Sequence, residues 1–158
     1  MNSRRRVVGF ALAVVAVICL AAPAAAQNSV HGLHRLPGSW HSLASTAIQA
    51  PFPGLLTFSS DGAIVATESP GPFESIGVGT WEARGGDAAL TFYVLFGSPA
   101  GAATNTGRAR IVALLHYDAA TDTWSGPFKI DVYDPAGHVL FHDRGQFTLT
   151  RIVVESLD

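Results

Sequence analysis

Two pairs of histidines lie close together in the sequence and are the first candidates for metal binding. His138 and His142 would share one face of an unbroken strand, but about 13 Å apart at the usual rise per residue, too far to bind one ion. His31 and His34 are three residues apart, and no helical pattern surrounds them to bring their rings together. We therefore interpret all four as exposed polar residues and expect neither a metal site nor a cofactor.

Acid/base chemistry has one candidate pair. Glu68 and Glu74 bracket the loop Ser69–Pro72 and could form an acid/base pair at one end of the fold, although solvated loop carboxylates fit the same pattern. His116 and Arg110 fall on a face that alternation assigns to the outside. The chain has no G-x-S-x-G nucleophile elbow. We expect no catalytic residue.

Residues 1–26 have the composition of a cleaved signal peptide. The basic residues Arg4–Arg6 precede the apolar run Val7–Leu20, and Ala24–Ala26 forms an A-x-A cleavage site. The run is shorter than the roughly 20 residues that span a bilayer. The arginines also leave a twin-arginine route open beside ordinary unfolded export. We expect the mature protein to be secreted or periplasmic.

The composition of the remaining 132 residues narrows the class of partner. The single cysteine, Cys19, is removed with the signal peptide, so no disulfide or thiol nucleophile is expected. The remaining residues include seven basic and 12 acidic side chains, which gives a formal charge of −5. A mildly acidic domain without a basic stripe argues against nucleic acid and against a membrane as partners.

The mature chain reads as consecutive strands joined by turns, with no long helical pattern. Turn composition recurs at Ser60–Gly62, Arg84–Asp87, Asp118–Asp122 and Asp134–Gly137. We expect Ala44–Pro53 to form a short helical or irregular crossing. The predicted strands are His41–Leu43, Leu55–Ser59, Ala63–Glu68, Gly77–Ala83, Ala88–Phe96 and three more within Gly107–Arg151.

Eight sequential strands predict an all-β, eight-stranded antiparallel up-and-down barrel, because closure removes the sheet edges. We place the barrel at 38–154, after a flexible N-terminal arm at 27–37 and before a polar tail at 155–158. An eight-stranded barrel has an interior that is filled by side chains or holds one small ligand.

Alternation within the strands separates an inner from an outer face. The inner face collects aromatic and aliphatic residues, and five of them are candidate ligand-binding residues. These are Trp81, Phe92, Ile111, Tyr117 and Phe128. Tyr117 would be the polar contact, and the loops Ser69–Glu74 and Gly97–Thr106 would form the entrance. The same rings could instead make a solid core.

Some outward positions are also apolar. Tyr93, Leu95, Val112 and Leu114 would form an exposed patch, which favours a homo-oligomer through this face. Coverage of the patch by the N-terminal arm or by Ala44–Pro53 is the alternative.

Short motifs in order along the chain resemble those of small secreted bacterial lipocalin-like proteins. They are G-x-W at Gly38–Trp40, T-F-x-x-D-G at Thr57–Gly62, G-x-G-x-W at Gly77–Trp81 and D-P-x-G at Asp134–Gly137. The resemblance implies a lipocalin-like barrel closed at one end by Trp40, with Arg151 packed across its ring. Similar barrels occur among allene oxide cyclase-like and dirigent proteins, so the resemblance does not separate a carrier from a cyclase.

Three functions therefore remain open. The first is an exported barrel that binds a small hydrophobic molecule in its interior. The second is a barrel isomerase or cyclase that folds a reactive substrate by confinement. The third is a non-catalytic interaction protein with a filled core. A void in the interior would favour the first two, and an ionisable group facing that void would favour the cyclase.

Overall fold

The computed structural model describes residues 33–68, 75–97 and 106–157. A short helical turn at residues 33–35 precedes the first strand. Within these ranges no helix is long and apolar enough to cross a membrane. The strands are β1 Gly38–Thr46, β2 Phe52–Phe58, β3 Ala63–Glu68, β4 Gly77–Arg84, β5 Asp87–Phe96, β6 Gly107–Asp118, β7 Thr123–Tyr133 and β8 Val139–Arg151.

The eight strands form one closed barrel in sequence order, and every neighbouring pair is antiparallel. Closure is made by β1 and β8, which pair from Trp40 opposite Arg151 to Thr46 opposite Gly145. The predicted all-β, eight-stranded antiparallel up-and-down barrel is thus confirmed. Every strand has two partners, so no backbone edge is left open along the sheet.

Tight turns connect the strands where turn composition predicts them. After β2, Gly62 has φ of +94°, a conformation that costs glycine little. After β7, the amide of Gly137 donates to the carbonyl of Asp134, and the Asp134 side chain accepts from the amide of His138 at 2.8 Å. These local bonds set the register of the hairpins.

The predicted crossing at Ala44–Pro53 is wrong. Strand β1 continues to Thr46, and β2 already begins at Phe52, opposite Ala44. The hydroxyl of Thr46 accepts the amides of the next turn and closes it. Pro53 is tolerated because β2 pairs with β3 only from Gly54 onward, so its missing N–H removes no bond to that strand.

The two ends of the barrel are built differently. At the closed end, where β1 begins and β8 ends, the inner face carries large side chains with essentially no exposure. These are Trp40, Leu56, Phe58, Ile64, Leu115, Trp124 and Leu149. We call the other end the mouth. It receives the loops between β3 and β4 and between β5 and β6, whose residues 69–74 and 98–105 lie outside the described ranges.

The inner face nearer the mouth, which we call the mouth half, carries small residues between aromatic and branched ones. The small residues include Ala44, Ala66, Gly77, Ala109 and Gly145. Aromatic rings pack against two of them: a methyl group on Gly145 would lie 2.6 Å from the ring of Phe128, and one on Gly77 would lie 3.0 Å from that of Phe92. Four partly buried apolar residues surround the opening, namely Phe52, Phe96, Ile130 and Val132.

Candidate functional site

The closed end is sealed by a plug built on Trp40. Its ring is fully buried, and its indole N–H donates to the carbonyl of Leu36 at 2.8 Å. The guanidinium of Arg151 lies 4.1 Å from the ring centroid, within cation–π range. Arg151 also donates to the carbonyl of Arg35 and lies 3.5 Å from the carboxylate of Asp122. The structure thus brings the expected pair, Trp40 and Arg151, into direct contact.

The segment just before β1 belongs to the plug. Leu36 is fully buried and Leu33 packs against the core, because the chain here lies across the closed end. Residues 33–37 therefore differ from the loose arm that the sequence suggests. The rest of that predicted arm, with His31, lies outside the described residues, as do the predicted signal peptide and its cleavage site.

Tyr117 stands in this plug too. Its hydroxyl donates to Asp122 at 2.7 Å and accepts from Arg35 at 3.2 Å, while its ring lies 5.2 Å from that of Trp124. Burial and the Asp122 hydrogen bond raise the pKa of Tyr117. Because the hydroxyl is hydrogen-bonded to both Asp122 and Arg35, it belongs to the closed end and does not face the mouth half.

The five predicted ligand-binding residues separate into two groups. Phe92, Ile111 and Phe128 come together on adjacent strands: Phe92 is opposite Ile111, and Phe128 follows on β7. All three are buried. Trp81, like Tyr117, lies at the closed end, where its ring meets Phe58 edge-on and its indole N–H donates to the carbonyl of Ser59.

The mouth half is closely filled but not completely. Phe128 stacks on Phe147 with centroids 4.3 Å apart, and we call this pair the aromatic layer. Phe128 and Val94 each retain 6% exposure and Ala113 retains 5%, whereas Phe92 and Phe147 retain 0% and 1%. The residual exposure of the mouth half is therefore limited to a few side chains.

Two inner-face polar residues escaped the sequence-based prediction. Ser42 follows Trp40 by two residues and Trp124 precedes Phe128 by four, so alternation alone places both inside. The Ser42 hydroxyl oxygen and the Trp124 indole nitrogen are buried without a hydrogen-bond partner. Among the described buried side chains of the inner face, none is ionisable: the buried polar or charged residues are Ser42 and the outward-facing Asp131.

An ionic cluster lies on the outer face. Asp131 accepts from Arg110 at 2.5 Å, and its other carboxylate oxygen lies 2.7 Å from Nδ1 of His142. The hydrogen bond from Arg110, with that of His142, holds the pKa of Asp131 below its usual value. His138 pairs instead with Asp134 at 3.0 Å. The two histidines thus have separate aspartates, and within the described ranges no three metal-binding side chains converge.

The remaining catalytic candidates are not brought together. His116 is exposed and bonds to Asp87 at 2.9 Å, away from Arg110. Glu74 and the loop Ser69–Pro72 lie outside the described residues, so the pairing of Glu68 with Glu74 stays a prediction. The strands that precede the predicted entrance segments, β3 and β5, both end at the mouth, and most of the two segments lies outside the described residues.

The apolar outer patch is present. Tyr93, Leu95 and Leu114 are 40–52% exposed, and Val112 is half-buried. Val78 is opposite Tyr93 and is itself 61% exposed. A shallow depression of about 300 Å³ adjoins the patch, lined by the outward-facing residues Thr80, Glu82, Thr91 and Val112 among others.

No protein-family model matches the chain, and no curated protein is significantly similar to it in sequence. A solved structure described as EF1p2_mFAP2b bound to DFHBI is similar in fold, with a TM-score of 0.54 and 19% sequence identity. The alignment covers 79% of this chain and 99% of that one. At this identity the likeness establishes the fold alone. This chain is an eight-stranded antiparallel β-barrel that shares its fold with a barrel solved in complex with a small molecule.

Proposed function

We propose that this protein is an exported, lipocalin-like carrier that binds a small, largely apolar molecule in the mouth half of its barrel. The observation that carries the proposal is the unequal lining of the interior. Large side chains fill the closed end, whereas the mouth half has alanines and glycines between its aromatic and branched residues. Binding would bury the ligand against Phe92, Ile111 and Phe128, with the hydrophobic effect as the driving force.

The construction of the opening supports the same proposal. The partly buried apolar rim, Phe52, Phe96, Ile130 and Val132, gives an apolar molecule a continuous surface from solvent to the interior. The plug of Trp40 and Arg151 makes the opposite end rigid. A barrel with one sealed and one apolar end is suited to holding a ligand without letting it pass through.

The residues that line the described inner face favour a carrier over a barrel cyclase or isomerase. A cyclase needs a polar or ionisable group aimed at the reacting atoms. The buried inner face offers only the Ser42 hydroxyl and the Trp124 indole N–H, and Tyr117 is engaged in the plug. The carboxylate of Asp143, opposite Ile130, is only half-buried near the mouth and accepts the amide of Arg144.

Two measurements test the carrier. Native mass spectrometry of protein purified from its own host should show a co-purifying small molecule. The purified protein should also bind the neutral probe N-phenyl-1-naphthylamine with 1:1 saturation. Ala66→Leu, which adds volume to the inner face, should weaken binding at least about tenfold, because the added side chain takes ligand space.

The matched control is Thr67→Leu, one residue along the same strand but on the exposed face. It should leave the affinity for the probe unchanged. If Ala66→Leu fails to fold by circular dichroism, Ala66→Val makes the same test with less added volume. Protein that is always ligand-free and shows no saturable probe binding would refute the carrier, and so would a folded Ala66 variant with unchanged affinity.

Self-association is a second candidate, favoured by an exposed apolar row. Val65, Val78 and Tyr93 are directly opposite one another across β3, β4 and β5, and each is at least 41% exposed. A second copy of the chain would bury this row in an isologous contact. Sedimentation velocity should show a dimer that Val78→Lys converts to monomer. A monomeric wild-type protein at about 100 μM would dismiss this candidate.

A further inference from the structure

Two buried polar atoms of the interior are left without a hydrogen-bond partner. They are the hydroxyl oxygen of Ser42 and the indole nitrogen of Trp124. Ser42 is 5% exposed and Trp124 is fully buried. The great majority of buried polar groups in proteins are paired, because an unpaired one has lost its water and gained nothing in return. Two such atoms in one small interior call for an explanation.

The register places these two residues in one row. Ser42 on β1 and Trp124 on β7 are each opposite Leu149 of β8, one on either side of it. Their backbones are therefore two strand spacings apart, about 10 Å along the sheet. Alternation directs both side chains inward, and the curvature of the barrel brings them closer together. We call Ser42 and Trp124 the polar pair.

The polar pair lies between the plug and the aromatic layer. On β8, Phe147 is the next inner-face residue from Leu149 toward the mouth, and Arg151 follows Leu149 at the closed end. The plug residue Trp40 precedes Ser42 by two positions on the same face of β1. The pair thus lies where the closed end meets the mouth half, at the greatest depth a ligand could reach.

We propose that the polar pair recognises a hydrogen-bond acceptor on the ligand, which enters the barrel with an oxygen atom first. The indole N–H can only donate, and the serine hydroxyl can donate as well. The group that satisfies both is therefore an acceptor such as a carbonyl or ether oxygen. This inference rests on the proposed carrier function and specifies which end of the ligand is bound at the polar pair.

The charge of the interior restricts the ligand further. No ionised side chain is buried on the described inner face, and the buried Asp131 faces outward in its pair with Arg110. The guanidinium of Arg151 is engaged with Trp40, Asp122 and a backbone carbonyl. An ionised carboxylate would lose its hydration here without a countercharge. The ligand class is thus a neutral ketone, ester, amide or ether with an apolar body.

Access to the polar pair requires the aromatic layer to move. The Ser42 and Trp124 atoms have essentially no accessible surface. Phe128 and Phe147 stack directly on the mouth side of this row. Displacing these rings toward the mouth would admit an acceptor oxygen and leave the rings in contact with the ligand body.

A set of isosteric probes tests the proposal on the purified protein. 2-Acetylnaphthalene and 2-isopropenylnaphthalene have nearly the same shape, but the first has a carbonyl oxygen where the second has a methylene group. 2-Naphthoate adds a negative charge. Equilibrium dialysis should show the ketone binding at least about tenfold more tightly than the alkene, as one well-placed hydrogen bond allows, with the naphthoate weakest.

Variants then assign the selectivity to the polar pair. Ser42→Ala and Trp124→Phe should each reduce the ketone-to-alkene affinity ratio at least about threefold, and the double variant should bring it close to one. A merely structural effect would weaken both probes equally and leave the ratio unchanged. Ser125→Ala, next to Trp124 but on the exposed face, is the matched control and should keep the wild-type ratio.

The outcomes separate this proposal from the carrier function. If no naphthalene probe binds, and the protein is ligand-free when purified, the carrier itself is refuted. If ketone and alkene bind equally well, the carrier stands and acceptor recognition is refuted. Acceptor recognition is also refuted if both variants keep the wild-type ketone-to-alkene affinity ratio. That result is expected if the Trp124 N–H already points to the face of the Tyr117 ring, whose centroid lies 5.2 Å from that of Trp124.

Discussion

The contact between Trp40 and Arg151 makes the stability of the barrel depend on one arginine at its closed end. In Arg151→Met the side chain keeps its apolar stem over the ring but loses its charge and its donors. The lost cation–π contact is worth about 1–2 kcal/mol at this partly buried site. The hydrogen bond to the Arg35 carbonyl adds about 1 kcal/mol, and the half-exposed ion pair with Asp122 adds less.

We therefore expect Arg151→Met to lower the free energy of unfolding by about 2–3 kcal/mol. Arg151→Lys should lose about 1–2 kcal/mol, because an ammonium keeps the charge but not the planar stacking or the second donor. Urea unfolding followed by far-ultraviolet circular dichroism measures both. Arg144→Met is the control, since Arg144 is exposed on the same strand and faces outward.

A double-mutant cycle with Trp40→Phe tests whether the loss comes from the ring contact. Trp40→Phe alone should cost about 2–3 kcal/mol, because the Leu36 carbonyl loses its donor and a smaller ring leaves space behind. The coupling energy with Arg151→Met should be about 0.5–2 kcal/mol. An Arg151→Met protein as stable as the Arg144→Met control would refute the plug, as would a coupling energy of zero.

Other parts of the barrel give further predictions, each measured by urea unfolding. Gly145→Ala should cost at least about 2 kcal/mol, because its methyl group would meet a backbone carbonyl at 2.0 Å and the Phe128 ring at 2.6 Å. Gly85→Ala is the control, because its methyl group would have no atom within 4 Å. It should cost only about 1 kcal/mol, the strain of placing alanine at a φ of +63°. Asp131→Asn should cost about 1–3 kcal/mol near neutral pH by removing the negative charge that pairs with Arg110. Because folding lowers the pKa of Asp131, its stabilisation is present above the unfolded value of about 3.9 and disappears as the pH falls through the lower folded value. The difference between wild type and Asp131→Asn should therefore shrink below about pH 4, and a constant difference down to pH 2 would contradict the ion pair.

The barrel could be predicted from the sequence because its determinants are local. Period-two alternation assigns each side chain to a face, and turns such as Asp134–Gly137 fix where strands reverse. The crossing at Ala44–Pro53 was the exception. Its prolines suggested a break, but Pro53 precedes the part of β2 that pairs with β3 and so removes no bond to that strand. That position depends on the neighbouring strand, which the local pattern does not contain.

The candidate site could be predicted only in part, because alternation gives the face of a residue and not its height in the barrel. Trp81, Tyr117 and Phe92 all have inward side chains, yet the first two lie at the closed end and the third in the mouth half. Height depends on how far each strand is staggered against the next. Ser42 was overlooked for a different reason. A small polar residue among apolar neighbours gives no sequence signal until the structure shows that nothing pairs with it.

The packing of the interior links the stability of the barrel to its proposed capacity for a ligand. A side chain with no accessible surface cannot contact a ligand unless something moves, so the rigid closed end contributes stability and no binding space. The mouth half is different, because aromatic rings pack directly over two of its glycines, Phe128 over Gly145 and Phe92 over Gly77. Moving the stacked Phe128 and Phe147 disturbs one ring pair, whereas moving Trp40 would break a hydrogen bond and a cation–π contact together. The energetically easier displacement is thus the one that opens a space toward the polar pair, and a ligand that replaces the displaced rings with its own apolar surface restores most of the lost contact.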